Sequence, residues 1–190
     1  MNSDLIGKLK DITSISIMDN ISDDKLLPVT NALINGGINL IMFNYNSFSN
    51  DKKICDNIKL LKEHFGNKII IGAGNVTKQS QIVDVKNASG QFVLLSGKDY
   101  ALVKLAKKSG LISVSSAVSI DDIIDALKND TDFVKIFPIN AFYDGFKNIT
   151  LLYFEDELNE NNLSTTQVYN SLKKINLDII NMNIAYWKTA

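Results

Sequence analysis

Lys135 is where residue type and setting fit least well in this chain. It stands in the middle of Asp132-Phe133-Val134-Lys135-Ile136-Phe137-Pro138. β-Branched and aromatic residues dominate this run, so it reads as a buried strand. Lysine is almost never fully buried unless something holds it there. Burial disfavours the ammonium form, lowers the pKa, and makes a free amine available near neutral pH. Such an amine attacks a ketone or aldehyde carbon and forms a Schiff base. The plain alternative is a lysine whose stem threads to solvent or whose amine pairs with a carboxylate. The stretch alone leaves both open.

Other chemistry-bearing residues are sparse. His64 is the only histidine and Cys55 the only cysteine. His64 reads as a helix-end residue favoured by the dipole, and Cys55 as a small packed residue. The usual zinc ligand sets cannot be assembled from them, so no metal is expected. Gly72-Ala73-Gly74 lacks the third glycine of a dinucleotide fingerprint and follows a later strand, so no cofactor is expected either. A tight turn at the strand end explains these glycines better. The sequence holds no arginine. Any anion must therefore be met by lysine, backbone N–H groups or neutral side chains, without the bidentate guanidinium clamp. Lys104, Lys107 and Lys108 read as a solvated helix face.

The elements that must position Lys135 follow from periodicity. Residues 2–10 form a short amphipathic helix and residues 13–18 a first strand. Ser22-Asp23-Asp24-Lys25 opens a helix that stops at Gly36-Gly37. A strand at 38–43 and a helix at 51–65 follow. Residues 68–71 form a strand ending in Gly72-Ala73-Gly74-Asn75. Thr77 caps a helix to about Ala88. Then come a strand at 91–95, a helix stopping at Gly110, a strand at 111–114, and a helix at 120–128 capped by Ser119. The lysine strand is next. Beyond it the reading gives a short helix at 144–152, a strand near 151–154, a helix at 165–174 and a strand at 177–182. Strands and helices alternate about eight times without a linker, which implies a parallel sheet. We expect a single α/β domain over residues 1–190. Its first-choice architecture is a small (β/α)8 TIM barrel with parallel strands and a shortened C-terminal end, ahead of an open doubly wound sheet. In a barrel, Asn44, Asn46, Asn75, Ser96, Ser115, Ser116, Lys135 and Pro138 converge at the C-terminal ends of the strands.

Composition narrows the partners. Hydrophobic residues make up 45% and charged residues 22%, with a net charge of -1. That profile gives no basic field for nucleic acid and no polybasic membrane patch. No apolar run approaches the ~20 residues that span a bilayer. The first residues lack a signal-peptide pattern, and one cysteine suits a reducing compartment, so a cytoplasmic location is expected.

Three stretches, in order, carry a resemblance. Pro28 to Gly37 reads P-V-T-N-A-L-I-N-G-G, Ile69 to Val76 reads I-I-I-G-A-G-N-V, and Val134 to Pro138 reads V-K-I-F-P. Together they resemble the class I aldolases that cleave 2-keto-3-deoxy-6-phosphogluconate (KDPG) and 4-hydroxy-2-oxoglutarate (KHG). The likeness covers roughly residues 12–150 and is looser to about 183. It implies that Lys135 forms a carbinolamine and then an iminium with a 2-keto acid. The C3–C4 bond then breaks to give pyruvate and an aldehyde, a lyase reaction placed in carbohydrate metabolism. It further implies substrate contacts from Asn46, Gly74, Asn75, Ser96, Ser115, Pro138, Asn161 and Asn162, and a homotrimer. The departures cluster at the site. Met42 stands where the family has its general acid/base glutamate, and Asn46 where it has a carboxylate-binding arginine. Asn75 replaces a threonine, Ser115-Ser116 a Pro-Gly, and Asn161-Asn162 the Gly-Gly of the phosphate loop. Losing the proton carrier costs about 10²–10⁴-fold in rate. Glu155, Asp156, Glu157 or the Tyr45 hydroxyl are candidate replacements. Two readings follow: an active Schiff-base lyase, or a divergent non-catalytic relative that binds a small molecule or a protein.

Overall fold

The computed structural model describes residues 2–10, 15–19, 21–46, 50–136 and 151–154. Its elements are α1 (Asn2–Lys10), β1 (Ile15–Ile17), α2 (Asp23–Asn35), β2 (Leu40–Asn44), α3 (Asp51–Phe65), β3 (Ile70–Val76), α4 (Gln79–Asn87), β4 (Phe92–Leu95), α5 (Tyr100–Lys108), β5 (Ile112–Ala117), α6 (Ile120–Lys128), β6 (Phe133–Ile136) and β7 (Leu151–Phe154). β1 to β6 are parallel and hydrogen-bonded in sequence order. They curl into part of a barrel, with helices alternating between them.

The strands are apolar on both faces, because each face has a cover. Odd-numbered residues of β2, with Ile71, Ala73, Val93 and Leu95, pack against the helices. Leu40, Met42, Ile70, Phe92, Leu94, Ile112, Val114 and Phe133 form the concave face. Leu9 of α1, with Leu5 and Ile6 beside it, joins this second cluster. α1 therefore packs on the concave face.

Local chemistry starts and stops the helices. Ser119 Oγ accepts the Asp122 amide at 3.1 Å, as the Ser-x-x-Asp spacing predicts. Asn50 Oδ1 accepts from Lys52 N, and Asp99 Oδ1 from Ala101 N. At α4 the expected Thr77 cap is replaced. Lys78 takes the cap position, and Gln81 Oε1 accepts the amides of Thr77 at 2.9 Å and Lys78 at 3.1 Å. The Gln81 side chain reaches back where the threonine hydroxyl was expected to act.

Three expectations need correction. Gly72-Ala73-Gly74-Asn75 does not end β3; the strand runs through it to Val76. The glycines serve close approach within the sheet. A Cβ on Gly72 would collide with the backbone oxygen of Phe92, and one on Gly74 with Asn44 Oδ1. Lys107 is not part of a solvated face. Its Nζ lies 2.8 Å from Asp130 Oδ2 and 3.1 Å from Asp132 Oδ1. Asp132 in turn accepts from Ser113 N and Oγ at 2.8 Å, so these residues lock the start of β6 to β5. Finally, β7 pairs antiparallel to β6, where an all-parallel barrel requires the opposite sense. A four-residue apolar run reads the same in either direction, so its sequence cannot choose. The expected elements at 165–174 and 177–182, and 144–150 of the expected short helix, lie outside the described residues.

Candidate active site

Alternation along β6 decides where Lys135 points. Phe133 belongs to the concave cluster, and side chains two apart on a strand share a face. Lys135 therefore rises above Phe133 on the concave side, near the C-terminal end of the strand. It is half-buried. Burial holds its amine below the ordinary lysine pKa, which raises the fraction of free amine at neutral pH.

Its register partner on β5 is Ser116, not Ser115. Ser116 is partly buried and its Oγ donates to Leu95 O at 3.2 Å. Ser115 faces the other way. It is buried, with Oγ donating to Thr131 Oγ1 at 3.0 Å. The odd positions Ser113, Ser115 and Ala117 thus line the helix side. The structure places Ser115 away from Lys135 and puts its neighbour there instead.

β3 brings Gly74 and Asn75 to the same rim through an irregularity. Ala73 pairs with Val93, but Val76 pairs with Leu95, so β3 carries one extra residue. Asn75 sits there with φ 53, in the left-handed region that Asn tolerates better than most residues. Val76 takes the buried place against the helices and Asn75 is pushed to the exposed rim. Ser96 Oγ donates to Asn75 Oδ1 at 3.5 Å. Asn46 is exposed beyond the end of β2. Pro138, Asn161 and Asn162 lie outside the described residues, as do Glu155, Asp156 and Glu157.

Met42 is buried in the concave cluster, 2% exposed. Its Sδ lies 2.8 Å from where a Cβ on Gly74 would be, so its tip runs up toward the strand ends. A thioether cannot carry a proton there. Tyr45 does not replace it. Its side chain packs among the helices, its hydroxyl meets Cys55 Sγ at 3.6 Å, and burial pushes its pKa up.

Sequence reasoning passed over Asp19. It follows β1, where Met18 N still donates to Met42 O at 2.9 Å. Its carboxylate accepts twice from Asn44: the backbone N–H at 2.9 Å on Oδ1 and Nδ2 at 3.0 Å on Oδ2. Asp19 stood outside every motif, between the strand expected at 13–18 and the helix that Ser22 opens. Only the pairing of β1 with β2 reveals it.

Comparison with known proteins follows the same lines. The model of a family described as "KDPG and KHG aldolase" matches residues 5–153. The chain is 24% identical over 128 residues to a 2-dehydro-3-deoxy-6-phosphogalactonate aldolase of Escherichia coli, covering 67% of this chain and 60% of that one. It is 27% identical over 115 residues to a 2-dehydro-3-deoxy-phosphogluconate aldolase of Pseudoalteromonas atlantica, covering 60% and 51%. The match thus spans a half to three-fifths of these relatives' lengths. A KDPG aldolase of Legionella pneumophila, solved with pyruvate captured as a covalent carbinolamine, shares the fold. Its TM-score is 0.58 at 24% identity, over 67% of this chain and 59% of that one.

Proposed function

We propose a function from one established premise: the chain belongs to the KDPG and KHG aldolase family. On this reading it is a class I, Schiff-base lyase that cleaves a 2-keto-3-deoxy sugar acid or a 4-hydroxy-2-oxo acid to pyruvate and an aldehyde. The observation that carries it is Lys135, half-buried on the concave face at the strand ends, with its amine pKa lowered by burial. Attack by Nζ on the C2 carbonyl gives a carbinolamine, and loss of water gives the iminium. The iminium accepts the electron pair of the breaking C3–C4 bond. Asn46, Asn75 and Ser96 offer neutral hydrogen-bonding groups around the rim for the substrate's carboxylate and hydroxyls. A phosphate would need lysine or backbone N–H groups, because the chain has no arginine. A closed eight-stranded barrel, a homotrimer and a cytoplasmic location belong to the same proposal. The curl of β1 to β6 supports the barrel, while the antiparallel β7 departs from it.

Met42 favours a second reading, a non-catalytic relative that binds a small molecule or a partner protein. A buried thioether at the proton-carrier position is what loss of catalysis would leave behind.

Borohydride trapping with pyruvate separates the two. The expected result is a reduced pyruvyl adduct mapped to Lys135 and absent from Lys135→Ala. A folded protein that gives no adduct at millimolar pyruvate would sink the lyase reading and leave the binding one.

A further inference from the structure

We propose that Asp19 is the proton carrier of this site, replacing the side chain that Met42 no longer supplies. The inference rests on the Schiff-base reading above and deepens it.

The geometry points to Asp19 through a short chain of contacts. Asn44 pairs in register with Gly74. Met42 Sδ and Asn44 Oδ1 both crowd the same spot, the place a Cβ on Gly74 would occupy. The other end of that Asn44 amide, Nδ2, donates to Asp19 Oδ2 at 3.0 Å. The Asp19 carboxylate is therefore one amide away from the Met42 tip. Two residues along a strand advance about 6.6 Å, roughly the reach of a long side chain directed up the strand. A carboxylate borne by residue 42 would end its reach at this level. Here a carboxylate arrives at the same level from the neighbouring strand.

Its mounting is firm. Met18, just before it, is 2% exposed and held by the Met42 carbonyl, while Thr30 Oγ1 lies 3.8 Å from its sulfur. Met18 packs in the helix-side cluster and Ile15 against the concave one, and the Asn44 amide that crowds the Gly74 position also holds Asp19. Each carboxylate oxygen takes one hydrogen bond from Asn44, and against the described residues each keeps a lone pair. Asp19 itself is exposed, so substrate and solvent protons can reach it. Two other carboxylates near the strand ends are committed elsewhere. Asp99 caps α5, and Asp122 accepts from Val118 N and bridges to Lys98.

The step balances without a further reactant. In cleavage, Asp19 takes the proton of the C4 hydroxyl. The O–H pair becomes the aldehyde C=O, the C3–C4 bond breaks, and its electrons pass into the iminium to give the enamine. Asp19 then returns the proton to C3, the enamine becomes the pyruvyl iminium, and water releases pyruvate from Lys135. With pyruvate alone the last proton transfer runs backward and forward, exchanging methyl protons with solvent.

The test uses pyruvate in D2O, with methyl exchange followed by NMR and borohydride trapping run beside it. The full-length chain is compared with Asp19→Asn, Asp19→Glu and Lys135→Ala, each checked for folding by circular dichroism. Asp19→Asn is expected to lower exchange by about 10²–10⁴-fold while still accumulating the trapped Lys135 adduct. Asp19→Glu is expected to recover part of the exchange, which a merely structural tie between β1 and β2 would not predict. Exchange at the unsubstituted rate in folded Asp19→Asn overturns the assignment. So does an unsubstituted protein that traps pyruvate but shows no exchange. A protein that does not trap at all fails the Schiff-base reading first, and the two failures are thus distinct.

Discussion

At the scale of single residues, two lysines show why burial alone does not define a role. Burial lowers the pKa of both Lys62 and Lys135. Lys62 Nζ donates to Gly66 O at 3.0 Å, Ile69 O at 3.3 Å and Gln91 Oε1 at 2.8 Å, fastening the end of α3 to the start of β3. Lys62→Met is expected to cost about 1–3 kcal/mol in urea unfolding, because it strands acceptors in a partly buried place. Lys135→Met is expected to remove a pH dependence of the melting temperature that the parent shows. The sign follows from linkage. Between the lowered folded pKa and the ordinary value of about 10.4, the unfolded chain binds a proton that the folded chain does not. Stability contributed by the lysine form therefore rises with pH across that window. The parent's melting temperature should rise relative to that of the methionine variant as pH climbs through it. A melting series at several pH values checks both the sign and the trend.

Single elements carry their own predictions. β3 depends on two glycines, but for different neighbours. A Cβ on Gly72 meets a backbone oxygen and the Phe92 ring, whereas one on Gly74 meets the side chains of Asn44 and Met42. Side chains can move aside and backbone cannot. Gly72→Ala should cost more than the roughly 1–3 kcal/mol of ordinary overpacking, and Gly74→Ala should fall within it. Chemical denaturation of both variants tests the order. At α6, Asp122 accepts from Lys98 Nζ at 2.5 Å and from Val118 N at 3.0 Å. The Lys98 hydrogen bond, foremost, holds its carboxyl below the usual range. Its contribution is thus present above the unfolded value of 3.8 and is lost as pH falls through the lower folded value. Asp122→Ala should cost about 1–2 kcal/mol at pH 7, and the gap to the parent should narrow in acid.

For the whole molecule, the concave side of the curled sheet carries both a helix cover and the candidate site. α1 packs on the concave face, and Lys135, Ser116, Gly74, Asn75 and Asp19 lie near the C-terminal ends of the strands. Leu9 is 5% exposed and packs into the concave cluster, while Leu60 on α3 is 41% exposed. Leu9→Ala is expected to cost about 2–3 kcal/mol, and Leu60→Ala less than about 0.5 kcal/mol. Equal losses would refute α1 as the cover of that face. Among the described residues no helix is long and apolar enough to cross a membrane.

The sequence by itself determined the alternation of strands and helices, the Ser119 cap, and the family, because periodicity and capping are local and the three motifs are contiguous. It also singled out Lys135, since one charge inside a strand of phenylalanine, valine and isoleucine is visible without coordinates. Tertiary structure decided the rest. Which of Ser115 and Ser116 stands beside Lys135 depends on the phase of β5 against β6, and a one-residue shift exchanges the two faces. The bulge at Asn75 exists only relative to β4. Lys107 looked solvated until β6 brought Asp132 beside it. The direction of β7 is a property of pairing rather than of composition. Asp19 became a candidate only when β1 lay against β2 and Asn44 placed two donors on its carboxylate. These are contacts between residues far apart in the chain, and no local pattern encodes them.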